Sequence, residues 1–153
     1  MDQSTRKTSV AASLFAASLL ATAPGWAQTV SGGTSGGLGG NDVSASTYGS
    51  GQQTTTPDGS SIGVQGGGAA TAADGGSATT DSDAKLNERR AMQRSVAQAR
   101  DDDERATSRT RTTVREGEVR SRTMSRYHQK GEHPEREMTY SVTTPEGTTT
   151  KAK

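Results

Sequence analysis

The sequence predicts a mostly intrinsically disordered, low-complexity exported chain, with one short α-helix over about 84–100 and weak β-hairpins in the C-terminal part. Three observations carry that expectation. The first 27 residues have the layout of an export signal. The remaining 126 hold only sixteen large apolar side chains, too few to offset the entropy of ordering so long a chain as one globule. There is no cysteine, so the disulfide framework that usually rescues a small exported domain is missing. The expected organisation is a cleaved signal over 1–27, a disordered Gly/Ser/Thr-rich acidic segment over 28–83, a charged helical segment over 84–106 and a basic Arg/Thr-rich segment over 107–153.

In the leader, Arg6 and Lys7 supply the positive end and Val10 to Ala21 the apolar run, anchored by Leu14, Phe15, Leu19 and Leu20. That run falls short of the roughly 20 residues needed to cross a bilayer. Ala21-Thr22-Ala23 has a good small-x-small form but would leave Pro24 just beyond the cut bond, where its fixed φ and missing N–H fit a protease poorly. Gly25-Trp26-Ala27 avoids this, so cleavage by signal peptidase is expected between Ala27 and Gln28. Arg6-Lys7 is not a twin arginine, which points to the general secretion machinery and to a periplasmic or secreted product. No transmembrane anchor is expected after cleavage, and without cysteine there is no lipid attachment site.

Residues 28–83 carry five aspartates and no Lys or Arg, whereas residues 84–153 carry 16 basic and 11 acidic side chains, so a net −5 segment joins a net +5 segment. Glycine dominates the first of these and, having no side chain to pack, predicts a flexible coil. One island differs. Thr56-Pro57-Asp58-Gly59 is a turn signal between β-forming residues, and Thr144-Pro145-Glu146-Gly147 repeats it near the C-terminus, which suggests a recurring hairpin tip. Gly36 to Ser44 can be laid once on the calcium-binding nonapeptide pattern, with Asn41 in the acidic position. Such repeats bind calcium only when stacked, so a Gly-rich linker is expected there.

From Ala84 to Ala106 there is no Gly or Pro, and good helix formers prevail. Met92, Val96 and Ala99 share a helical face that could meet a partner, while Leu86 lies off it. Asp101 to Glu104 oppose the helix dipole, which would end the helix near Arg100. These four acids are also a formal divalent-cation cluster, but no glycine turn or later bidentate glutamate completes a loop, and a solvated charge run is expected.

Arg109, Arg111, Arg115, Arg120, Arg122 and Arg126 then alternate with Thr, Ser and Val in a strand rhythm. A turn at Glu116-Gly117 would set Arg115 opposite Glu118, Val114 opposite Val119 and Arg111 opposite Arg122, the last a like-charge pair that wants an anion. Met138, Tyr140 and Val142 alternate on a further strand that Pro145-Glu146-Gly147 would turn back. Arginine binds phosphate and carboxylate bidentately, so this run is the candidate site for an anionic envelope component or other polyanion. Sequence-specific nucleic-acid reading is not expected, because no recognition motif is present. His128 and His133, with Glu132 and Glu135, form a weak candidate metal set, but their spacing matches no closed site.

No cofactor is implied, and there is neither a cysteine nucleophile nor a G-x-S-x-G elbow, so a non-enzyme is expected. Three functions follow as alternatives: a polyanion-adhering exported protein, a low-affinity periplasmic divalent-metal binder, or a small module over 84–153 that orders on a protein partner.

Overall fold

The computed structural model describes residues 28–153 apart from positions 41, 58, 74 and 88; the expected leader through Ala27 lies outside them. The described chain is nine antiparallel strands in sequence order. β1 (Gln28–Gly39), β2 (Val43–Thr56) and β3 (Gly59–Ala72) make one sheet. β4 (Ser77–Asn87), β5 (Arg90–Arg100), β6 (Glu104–Arg115), β7 (Glu118–Gln129), β8 (Glu135–Thr144) and β9 (Gly147–Ala152) make the other. The sheets stack face to face, β1 lying over β7 and β8, β2 over β6 and β3 over β5. β4 and β9 flank the larger sheet at its edges, and every β4 side chain is exposed.

This corrects the expectation of a mostly disordered chain with a helix at 84–100. The expected boundary at residue 83 falls inside β4, and the helical stretch 84–106 is the end of β4, all of β5 and the start of β6. Asn87 Oδ1 accepts the amides of Arg89 and Arg90 at 3.2 and 2.7 Å, closing the β4–β5 hairpin. Asp101 Oδ1 likewise accepts the amides of Asp103 and Glu104 at 2.9 and 2.6 Å, so the acidic run is a hairpin turn. Met92 and Val96, four apart, share a face of a strand as they would of a helix. The separating signal is the alternation of Ala91, Gln93, Ser95, Ala97 and Ala99, all buried, with exposed Arg90, Arg94 and Arg100.

The low-complexity stretch folds because its small residues are the core. Twelve buried residues are apolar, five of them alanine, and twelve more are Ser or Thr. Apolar clusters close the two ends. Leu38, Val43, Ala45 and Tyr127 anchor one, and Val30, Val114 and Val119 the other. Between them lies a belt of hydroxyls in one continuous chain: Thr112–Ser121–Thr34–Thr123–Thr110–Thr47–Ser108–Ser125, with links of 2.6–3.1 Å. Ser108 also donates to the Gly36 carbonyl at 2.9 Å. Ser121 also reaches the Gly49 carbonyl at 3.5 Å, and together these bonds satisfy polar groups that would otherwise be costly to bury. Counting only large apolar side chains omits this belt. Close approach of the sheets needs glycine: a Cβ on Gly49 would stand 2.5 Å from Thr112 Oγ1.

The expected hairpin registers are found. Arg115 pairs with Glu118, Val114 with Val119 and Arg111 with Arg122. Glu116 (φ 48°) and Gly117 (φ 78°) both take the left-handed conformation of a type I′ turn. The recurring hairpin tip is also present. Thr56 pairs with Gly59 and Thr144 with Gly147, and each threonine hydroxyl donates to its glycine carbonyl, at 3.0 and 3.4 Å.

Candidate functional site

Sheet alternation that buries the small residues of β5–β7 turns their arginines outward together. Arg90, Arg94, Arg100, Arg105, Arg109, Arg111, Arg115, Arg120, Arg122, Arg126 and Arg136 are all exposed on the outer face of the larger sheet. The registers set like charges side by side. Arg94 pairs with Arg111 and Arg111 with Arg122, a three-strand row bounded by Asp83 on one side and by Tyr140 and Lys151 on the other. Arg90 faces Arg115, Arg100 faces Arg105, and Arg126 faces Arg136. Cross-strand neighbours on one face have Cβ atoms about 4.5–5.5 Å apart, so each such pair is repulsive unless an anion lies between.

Few carboxylates relieve this face. Asp81 and Asp83 stand on the β4 edge, and Glu118 takes Arg120 bidentately at 2.6 and 2.9 Å. That contact raises the Arg120 pKa, through the Glu118 hydrogen bond first and its charge second. Arg115 reaches Glu116 at 3.5 Å, and Arg111 donates to Met92 Sδ at 3.2 Å. Among the described residues, no carboxylate forms an ion pair with Arg94, Arg109, Arg122 or Arg126. A shallow groove runs between Arg94, Arg109, Arg111 and Arg122, floored by Met92 and Met124. A second, beside it, is lined by Arg105, Arg109, Arg126, Arg136, His128 and Pro134. Guanidinium groups over an apolar floor can hold phosphate or sulfate oxygens bidentately while their stems keep the face dry.

All six arginines singled out from the sequence lie on this face. Arg90, Arg94, Arg100, Arg105 and Arg136 join them; the helix formers of 84–106 mask most of these, and the alternation of small and long side chains in 90–100 is the signal that marks the strand. The candidate metal set spans the end of β7, the turn after it and the start of β8. His128 is on the outer face opposite Arg105, Glu132 and His133 are in the exposed β7–β8 turn, and Glu135 opens β8 opposite Tyr127. These residues are not among the described clusters of three close metal-ligating groups.

The outer face of the smaller sheet is the reverse in character. β1, β2 and β3 contain no charged residue, and their outward positions are Gly, Ser, Thr, Gln and Ala around a half-exposed Tyr48. No family model, curated protein or solved structure matches the chain.

Proposed function

We propose that the protein is exported and works without catalysis, adhering to anionic envelope or extracellular polymers through the arginine face of its larger sheet. The observation that carries this reading is the three-strand row Arg94–Arg111–Arg122, a costly alignment of like charges that a bound polyanion relieves. A sheet face whose arginine-bearing strands lie about 4.8 Å apart offers many weak, equivalent contacts, suited to a repeating anion and not to one small ligand. The leader-like first 27 residues support export to the periplasm or medium, with signal peptidase and the general secretion machinery as the expected handling partners. Recognition by backbone charge alone needs no base reading, so sequence-specific nucleic acid is not the target.

The test is heparin binding by the processed protein across a salt series. Log affinity should fall linearly with log salt, and the double substitution Arg111→Glu with Arg122→Glu should weaken binding about tenfold or more while leaving the fold intact. Binding insensitive to both salt and that substitution would overturn the proposal.

A further inference from the structure

The end of the sandwich that carries the β1–β2 and β5–β6 turns brings the Asp42 carboxylate to those of Asp101 and Glu104, far along the chain. One oxygen each of Asp42, Asp101 and Glu104 lies within 4.8 Å of the other two. Asp42 is exposed and Asp101 half-buried, whereas Glu104 is 8% exposed. Glu104 Oε2 is shut off from water and has no hydrogen-bond partner. It converges with the Tyr127 hydroxyl beside the Gly40 backbone, so closely that a Cβ on Gly40 would stand 2.6 Å from Oε2 and collide with the hydroxyl. Burial first, and a hydrogen bond donated to the Glu104 carboxylate second, hold the Tyr127 hydroxyl protonated well above the ordinary tyrosine range.

A buried carboxylate whose neighbouring donor is the neutral Tyr127 hydroxyl, crowded by two like charges, calls for a compensating cation. Among the described residues, no cationic side chain pairs with these three. Lys130 reaches the adjacent Asp103 at 3.2 Å, and Arg100 and Arg105 point to the outer face. We propose that Asp42, Asp101 and Glu104 bind a calcium ion that fastens the smaller sheet to the larger one at this end. The donor set is oxygen only, which selects a hard cation over zinc or copper. Oxygens up to 4.8 Å apart can share an ion at the calcium distance of about 2.3–2.6 Å, whereas magnesium, at about 2.0–2.1 Å, would need the turns to contract.

The two turns are already braced for this. Asp42 O accepts the amide of Ala73 at 2.8 Å, and Asp101 is fixed by the amides it accepts from Asp103 and Glu104. Asp42 from the stretch between β1 and β2, and Asp101 and Glu104 from the β5–β6 turn, supply the site jointly. The inference is independent of the arginine face, since the two sites share no residue.

The processed protein should be melted in chelator and in rising calcium, with terbium luminescence as a second readout. Tm should rise and saturate by about 1 mM calcium, as for extracellular calcium modules. Terbium emission sensitised through Tyr127 should appear and be displaced by calcium. Glu104→Gln should weaken binding at least tenfold in both readouts and raise the Tm measured in chelator, because a neutral amide removes the crowded charge. Asp102→Asn, outside the cluster, should keep the full response. If Glu104→Gln does not fold, Asp42→Asn in the exposed turn takes its place with the same expected loss. A Tm unmoved by calcium together with no sensitised emission would overturn the proposal, as would equal losses in Asp102→Asn and Glu104→Gln.

Discussion

Threonine at the centre of this molecule does the packing that valine does in most sandwiches, and its hydroxyl makes each position conditional on its neighbours. Thr47 is 2% exposed and bonded to Ser108 at 2.8 Å and to Thr110 at 2.7 Å. Thr47→Val keeps the shape but breaks the chain in its middle, leaving two buried hydroxyls each short of a partner. The expected cost is about 1–3 kcal/mol, read as a lower denaturant midpoint at unchanged slope. Thr143→Val should differ. Thr143 is fully buried beside the apolar end cluster, and its one side-chain bond, 3.1 Å to the exposed Thr148, is easily replaced by water. A change within about 0.5 kcal/mol is expected there. Equal costs at the two positions would show that the hydroxyl chain contributes nothing beyond shape.

The turns between strands were the most legible features of the sequence, because their chemistry is local. Pro-x-Gly between threonines marked two hairpins, and Glu116-Gly117 fixed the register of β6 on β7, with the like-charge pair Arg111–Arg122 that follows from it. Strand identity was less legible in β5, where Met92 and Val96 fit either period, while Leu86, just before it in β4, lay off the helical face. At the β6–β7 turn, Glu116 sits at φ 48°, a conformation that costs a non-glycine residue about 1–2 kcal/mol and that asparagine tolerates. Glu116→Asn should therefore stabilise the protein by about 0.5–1 kcal/mol in urea unfolding, since the exposed Arg115–Glu116 pair at 3.5 Å is worth little. A loss of stability would mean that the turn departs from type I′ in solution.

Across the whole molecule the sandwich separates charge by layer, with a neutral glycine-rich sheet against an arginine-rich one. The composition showed this as an acidic half and a basic half, yet their pairing could not be read, because Thr34 and Ser121 meet across 87 residues of chain. Asp101 and Glu104 stood out as an acidic run, but their meeting with Asp42 was hidden for the same reason. The number of large apolar side chains understates the core, because here hydroxyl side chains are buried and satisfy one another. Repulsion among the outer arginines should make the protein more stable when anions are bound, so heparin should raise Tm, and a neutral polymer of similar size should not. The most direct measurement is the amide NMR spectrum of the processed protein, titrated with heparin. A widely dispersed strand-type spectrum is predicted, with shifts confined to β5, β6 and β7 around Arg94, Arg111 and Arg122 and none in β1–β3. A collapsed spectrum, or shifts on the neutral sheet, would contradict the account.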